Sequence, residues 1–180
     1  VPLLVKSGLL ETFSEVYHSL GPAFYGLRTT VVVLFLAALL RIKRPEHFKE
    51  YNPHELGHVM GLDRVPEVKT VRRKFTELAS RGLARELMHA RAQHRIDEDA
   101  DRVAFLYIDG HVREYHGMHV LAKTKKAQSQ VAKPGATDNW VHDADGEPLL
   151  VVTSEMNEGL TQVLEPILQD VKQLIGDRRP

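Results

Sequence analysis

Three stretches of the chain carry side chains whose types and spacing could do chemistry. The first contains Asp109, which follows the apolar run VAFLYI at 103–108 and precedes Gly110. Such a run is typical of a strand buried on both faces. An acidic residue that leaves a core strand beside a permissive glycine is well placed to hold a metal ion or to act as a base. Asp-Gly is also a common turn sequence, so Asp109 alone leaves both interpretations open.

The second stretch matches the H-E-x-x-H pattern of zinc hydrolases at His54, Glu55 and His58. The pattern places two imidazoles one helical turn apart, with the glutamate as general base. One large class of zinc protease adds a third histidine where this chain has Arg64, and a cation cannot ligate zinc. Glu55 also lies three residues after Asn52, the position of a capping-box carboxylate. A zinc hydrolase is therefore kept as an alternative.

The third stretch is a basic amphipathic helix predicted at 66–80, after a short helix that begins at Asn52-Pro53 and ends near Gly61. Its predicted apolar face contains Val68, Val71, Phe75 and Leu78, and its basic residues are Lys69, Arg72, Arg73 and Lys74. A short helix, a turn and a basic helix form the outline of a helix-turn-helix, whose second helix contacts DNA. The same pattern also fits a small helical bundle with a solvated basic face.

The elements that must position these residues fall into two parts. Helices are predicted at 3–20, 26–43, 45–51 and 81–100, and the pattern changes from helical to extended beyond that point. Strands are predicted at 103–115 and on both sides of Asp145-Gly146 within 139–155. A closing helix is predicted at 158–175, kinked or restarted at Pro166. This indicates an α+β chain with a helical region at 1–100 and a second domain at 101–180.

Composition excludes several classes of function. Lys plus Arg and Asp plus Glu both number 24, so a nucleic-acid partner would have to meet a local basic patch. The chain has no cysteine, which excludes disulfides and thiol catalysis and fits a reducing interior. The apolar run at 31–40 is too short to cross a bilayer, so we expect a buried helix and no membrane partner.

The chain also resembles a group of bacterial transposases over nearly its whole length. The N-terminal part of the resemblance lies in FYGLR at 24–28, LRIKRP at 40–45, GLDR at 61–64 and KTVRRK at 69–74. The second part lies in residues 105–117, WV at 140–141, DADG at 143–146 and NEGL at 157–160. These segments are similar to the N-terminal region and the start of the catalytic domain of that group.

The resemblance implies a DDE-type transposase of a mobile element, located in the bacterial cytoplasm, with a ribonuclease-H-like catalytic domain. In such a domain the first catalytic aspartate ends the first strand, which here is Asp109. Several carboxylates hold two divalent metal ions that activate the attacking oxygen and stabilise the leaving one. Oxygen ligands suit Mg²⁺ or Mn²⁺.

The resemblance also implies that the later catalytic carboxylates follow the helix at 158–175, beyond Pro180. We therefore expect a truncated domain that does not catalyse alone. An exposed sheet edge would allow a homo-oligomer. The expected function is transposition, with double-stranded DNA as partner and Lys69, Arg72, Arg73 and Lys74 as its contacts. A DNA-binding module without catalysis is the main alternative.

Overall fold

The computed structural model describes residues 2–20, 25–116, 118, 120–125, 132–155 and 158–176. The fold is α+β, as predicted, and divides into two compact units at residues 1–90 and 91–180. Three positions used in the sequence analysis lie outside the described residues: Phe24, Gly117 and Asn157.

Helices make up the first unit. They are α1 (Pro2–Lys6), α2 (Leu9–Tyr17), α3 (Leu27–Leu39), a 3-10 helix (Pro45–Glu50), α4 (Pro53–Val59), α5 (Val68–Ser80) and the first part of α6 (Ala84–Glu98). The helix predicted at 3–20 is interrupted at Gly8, whose φ of 68° is left-handed, and the Gly8 N–H bonds to the Val5 carbonyl. The prediction of one continuous helix was wrong because this turn separates α1 from α2.

Two apolar clusters hold the first unit together, and α3 and α5 contribute to both. One cluster contains Leu4, Tyr17, Leu20, Leu27, Val31 and Leu78, and the other contains Val33, Leu36, Phe48, Leu56, Val65 and Val71. The run at 31–40 therefore belongs to a buried helix, as predicted. A helix that is apolar on more than one side can be buried by two groups of neighbours at once.

A close backbone approach closes the loop between α4 and α5. A Cβ on Gly57 would lie 2.3 Å from Arg64 Cα, so only glycine fits at this point of the helix. The Leu62 N–H donates to the Gly57 carbonyl at 2.9 Å, and the Val65 N–H donates to the Pro53 carbonyl at 2.8 Å. The loop is thereby held against α4 immediately before α5 begins.

The second unit is built on an antiparallel sheet. Its strands are β1 (Tyr107–Glu114), β2 (Lys123–Lys125), β3 (Ala132–His142) and β4 (Pro148–Glu155), followed by helix α7 (Leu160–Ile175). β3 pairs with β1 and with β4, and its first three residues pair with β2. The hairpin predicted around Asp145-Gly146 is confirmed. β2 and the start of β3 were not predicted, because this basic segment shows no regular pattern.

The two faces of the sheet differ in burial. Ile108, Val141 and Leu150 lie side by side across β1, β3 and β4, and Val141 and Leu150 are buried. Asn139 on the same face is also buried, and its amide donates to the Val152 carbonyl and to Ser154 Oγ. Because side chains alternate along a strand, the neighbouring residues of β1 face the other way and are exposed.

The strand predicted at 103–115 is present as β1, but its predicted start and the predicted burial of the run at 103–108 were wrong. Val103 is buried, but it ends a 3-10 helix (Ala100–Val103) that Asp99 caps by accepting the Asp101 N–H. Phe105 is 71% exposed, and β1 begins only at Tyr107. The Asp99 cap and the turn after the 3-10 helix set the backbone conformation before Tyr107. The apolar composition of residues 103–108 does not make the whole run a strand.

The closing helix α7 runs without interruption through Pro166. Val163, Ile167 and Leu174 on it are buried, as the helical spacing predicted. Among the described residues, no helix is long and apolar enough to cross a membrane.

Replacing Gly57 by alanine tests the close approach of the loop to α4. Alanine favours an exposed helix by about 1 kcal/mol over glycine. Here its Cβ would collide with the Arg64 backbone, so we expect a net loss of about 1–3 kcal/mol in the free energy of unfolding. Urea unfolding followed by far-UV circular dichroism measures it. His58→Ala, on the exposed side of α4, should change stability by less than about 0.5 kcal/mol. A stabilised Gly57→Ala variant would contradict the close contact.

Candidate functional site

Helix α5 presents three cations to solvent. Lys69, Arg72 and Arg73 are exposed, and they are neighbours on the helix surface because they are spaced by three and four residues. The opposite face of α5 is buried through Val71 and Leu78. Arg72 pairs with Glu46 of the 3-10 helix, whereas Lys69 and Arg73 form no ion pair with any described residue.

Lys74, the fourth predicted DNA contact, is placed differently. It is 3% exposed, and its ammonium donates to the Leu20 carbonyl at 3.2 Å and to Glu77 Oε2 at 3.1 Å. This side chain holds the end of α2 against α5 and is not available to a phosphate in this conformation. Lys74 is therefore not among the residues that we propose as DNA contacts.

The position of Lys74 could have been found from helical spacing. It follows Val71 by three residues and precedes Leu78 by four, so all three side chains share one face of the helix. The basic residues Lys69, Arg72, Arg73 and Lys74 indicate a charged surface, but the spacing of Lys74 to the two core residues was the stronger signal.

An open cleft of about 870 Å³ lies beside the N-terminal half of α5. It is lined by the 3-10 helix, by the start of α4, by the loop before α5 and by α5 itself. The lining residues are Glu46, Phe48, Lys49, Tyr51, Pro53, His54, Arg64, Val65, Glu67, Val68, Lys69 and Arg72. We call it the α5 cleft. Two of the three exposed cations of α5 border it.

The H-E-x-x-H segment forms α4, and its residues have structural partners. Asn52 Oδ1 accepts the backbone N–H groups of His54 and Glu55, which confirms the predicted helix cap. The His54 ring Nδ1 lies 2.9 Å from the Asp63 carbonyl, so that nitrogen carries the proton. Among the residues that the structure describes, no group of three or more histidine or carboxylate side chains is placed to hold a metal ion.

Asp109 is the third residue of β1, so the prediction that it ends a strand was wrong. It lies opposite Trp140 of β3, on the exposed face of the sheet. Within the described part of the chain, no group donates a hydrogen bond to its carboxylate. The carboxylate is therefore accessible, but the sheet does not bring a second available carboxylate to it.

The next acidic residue along this face of the sheet, Asp138, is already hydrogen-bonded to other side chains. Asp138 accepts two hydrogen bonds from Arg113, at 3.0 Å from Nε and 3.1 Å from Nη2. Thr153 Oγ1 donates to the same carboxylate at 2.8 Å. Both carboxylate oxygens are thus used within the sheet, and Asp138 is a structural residue.

A network of charges surrounds Asp143, a residue to which the sequence analysis gave no role of its own. The Asp143 side chain is fully buried, and its Oδ1 accepts the backbone N–H groups of Asp145 and Glu147 at 3.0 and 2.9 Å. Its Oδ2 lies 3.3 Å from Arg95 Nη2 and 3.3 Å from Arg102 Nη1. One carboxylate thus connects α6, the 3-10 helix at residues 100–103 and the β3–β4 turn.

Electrostatics at Asp143 favour the charged form. Burial by itself raises the pKa of the carboxyl, but the Glu147 N–H, Arg102, Arg95 and the Asp145 N–H together hold the pKa below its usual range. The hydrogen bond to Asp143 raises the pKa of Arg102 in turn. The network is therefore an ionised structural group, and its carboxylate oxygens have no capacity left for a metal ion.

Sequence comparison identifies the family. The profile of a family described as "Transposase protein" matches residues 1–178. The chain belongs to this transposase family. No curated protein and no solved structure matches the chain. The match extends over the helical unit and over nearly all of the sheet unit.

Exchanging Lys74 in this transposase-family chain separates its structural role from a role in DNA binding. Lys74→Ala removes the donor to the Leu20 carbonyl and should lower the free energy of unfolding by about 1–3 kcal/mol. Lys69→Ala, on the exposed face of the same helix, should change it by less than about 0.5 kcal/mol. Urea unfolding measures both. Equal effects of the two substitutions would contradict the burial of Lys74.

Replacing Asp143 by asparagine tests the charge network. The two arginines would lose their shared partner, and we expect a loss of about 2–4 kcal/mol, since both arginines keep some contact with water. Urea unfolding followed by the fluorescence of Trp140, the single tryptophan, reports on this unit. Asp145→Asn is the matched control, because that side chain is 67% exposed and should matter by less than about 1 kcal/mol.

The same network predicts that the free energy of unfolding falls in acidic solution. The folded-state pKa of Asp143 is lowered, so its contribution is complete above the ordinary aspartate pKa of about 3.9 and is lost as the pH falls below it. The wild-type chain should therefore lose more stability than Asp143→Asn between pH 5 and strongly acidic solution. Parallel pH profiles for the two chains would contradict this role.

Proposed function

We propose that this chain binds double-stranded DNA as part of a DDE-type transposase, through the exposed cations Lys69, Arg72 and Arg73 of α5. The observation that carries the proposal is their common position on one face of a helix whose opposite face is buried. A rigid helix with such a face can place positive charges along a phosphate backbone. Membership of the transposase family supports DNA as the polyanion.

Helices α4 and α5 are proposed as the helix-turn-helix pair, with α5 as the recognition helix. In that motif the second helix enters the major groove and the first crosses the backbone. The contacts between Gly57 and Arg64 and between Pro53 and Val65 support this role, because they hold the connecting loop against α4. Arg72 is partly neutralised by Glu46, so Lys69 and Arg73 are expected to contribute most.

The second unit is proposed as the first part of a ribonuclease-H-like domain. Its antiparallel strands β1, β3 and β4 are followed by helix α7, in the order expected for the start of such a domain. In the described residues β1 pairs along one edge only, with β3. The other edge could receive a later strand, or a second copy of the chain, since unpaired backbone groups favour strand addition.

Asp109 is proposed as the first catalytic and metal-binding carboxylate of that domain. The described residues by themselves do not fit a two-metal site, because Asp138 and Asp143 are engaged by arginines and no group of three or more histidine or carboxylate side chains includes Asp109. Mg²⁺ or Mn²⁺ would require further carboxylates. We therefore propose that the residues described here bind DNA and do not cleave it alone.

Salt dependence tests the proposed DNA binding. The logarithm of the affinity for duplex DNA should fall linearly with the logarithm of the salt concentration, since bound cations release counterions. Fluorescence anisotropy with a labelled duplex measures it. Lys69→Ala and Arg73→Ala should each weaken binding and reduce the slope by about one.

The matched control is Lys172→Ala, on α7 of the other unit, which should leave both the affinity and the slope unchanged. Affinity that does not vary with salt, or an equal effect of Lys172→Ala, would rule out α5 as the contact surface. The binding-module alternative is distinguished by nicking assays with Mg²⁺ once later strands are joined to the chain. Asp109→Asn should abolish nicking there, and a chain that never nicks DNA would support the alternative.

A further inference from the structure

The α5 cleft combines a cationic surface with an apolar one, and phosphate binding alone does not require the apolar part. Its rim carries Lys49, Arg64, Lys69 and Arg72, contributed by the 3-10 helix, the loop and α5. Its interior wall includes the apolar side chains Phe48, Val65 and Val68. Phe48 and Val65 belong to the core of the unit, so this wall is fixed in place.

The charge of the cleft favours an anion. Its four cations outnumber the two carboxylates of Glu46 and Glu67, and Glu46 is already paired with Arg72. Lys49, Arg64 and Lys69 form no ion pair with any described residue. An incoming anion would therefore meet several cations without first breaking a protein ion pair.

The lining of the cleft also includes an aromatic side chain. Tyr51 lines the cleft and is 36% exposed, and Pro53 and His54 lie beside it. A partly exposed aromatic ring beside cations is the combination that holds unpaired bases, because bases stack on the ring while the cations bind the phosphates. A volume of about 870 Å³ lies in the range of cavities that bind small molecules.

We propose that the α5 cleft holds an unpaired nucleotide at the end of a DNA strand. The base would stack on Tyr51 against the apolar wall, and Lys49 and Arg64 would bind the phosphates on either side of it. This inference rests on the proposed function, since it places the cleft next to a duplex bound by α5. The inference predicts that the chain binds DNA ends with a single-stranded extension more tightly than blunt ends.

The rigidity of the cleft supports the inference. Arg64 is held by the contact of its backbone with Gly57, and the His54 ring bonds to the neighbouring Asp63 carbonyl. These contacts fix the loop wall before any ligand binds. A site that is already formed loses little conformational entropy on binding.

The test compares two labelled duplexes of the same sequence, one blunt and one with a three-thymidine extension, in both 5′ and 3′ versions. Fluorescence anisotropy of the full chain measures each affinity at one fixed salt concentration. We expect one extended duplex to bind at least about fivefold more tightly than the blunt duplex, the lower end of the effect of one base–aromatic stack.

Two variants assign this preference to the cleft. Tyr51→Leu should lose the preference and keep the affinity for the blunt duplex, because Tyr51 is not among the α5 cations. Tyr107→Leu is the matched control, since Tyr107 is an exposed tyrosine of the other unit, 59% accessible, and it should retain the preference. Circular dichroism verifies that both variants are folded.

The outcomes separate the two proposals. Equal affinity for blunt and extended duplexes, or a preference that survives in Tyr51→Leu, would overturn the cleft inference and leave α5 as a duplex-binding helix. If neither duplex shows salt-dependent binding, the proposed function fails and the inference fails with it. A preference lost in Tyr51→Leu and kept in Tyr107→Leu would establish the site.

Discussion

The carboxylate of Asp143 is buried without contact to water and is surrounded by two backbone N–H groups and two guanidinium groups. A buried charge is tolerated only when such partners compensate for its lost hydration. Those partners come from three separate parts of the chain, so α6, the 3-10 helix before β1 and the β3–β4 turn must meet for the charge to be satisfied. These contacts connect the 3-10 helix that contains Arg102 to the β3–β4 turn, shortly before β1 begins.

The first unit has a similar dependence on one charged side chain. Lys74 bonds to the Leu20 carbonyl and to Glu77 in a position that helical geometry assigns to the core. A second cation reinforces the same junction, since Arg81 Nη1 donates to the Tyr17 carbonyl at 2.8 Å. Lys74 and Arg81 thus bind backbone carbonyls at the last residue of α2 and in the segment that follows it. The basic character of α5 therefore serves both the fold and the proposed contact with DNA.

Sequence reasoning recovered the features that depend on local pattern. The Asn52 cap, the apolar face of α5, the hairpin at Asp145-Gly146 and the helix α7 follow from spacing and turn chemistry within a few residues. The features it missed depend on partners far along the chain. Arg95 and Asp143 are 48 residues apart, and Lys74 and Leu20 are 54 apart. No local pattern encodes such pairs, although the spacing of Lys74 to Val71 and Leu78 did carry a signal.

Asp109, the proposed catalytic residue, illustrates why residue type alone does not identify a metal ligand. Asp109 and Asp145 are both followed by glycine, and Asp138 and Asp143 lie close to Asp145 in the sequence. The structure separates these carboxylates by their hydrogen bonds: Asp143 and Asp138 are saturated by arginines and other donors, whereas Asp109 receives no hydrogen bond from the described residues. A carboxylate that must bind a metal ion cannot also be saturated by the protein.

Hydrogen bonding therefore distinguishes Asp109 from Asp138 and Asp143, and the same criterion distinguishes Lys69 and Arg73 from Lys74 on α5. In both cases the residues left for function are those whose charge the fold does not use. Asp138 and Asp143 stabilise the strands around Asp109, so a metal ion bound by Asp109 under the proposed function would need its further ligands from other carboxylates.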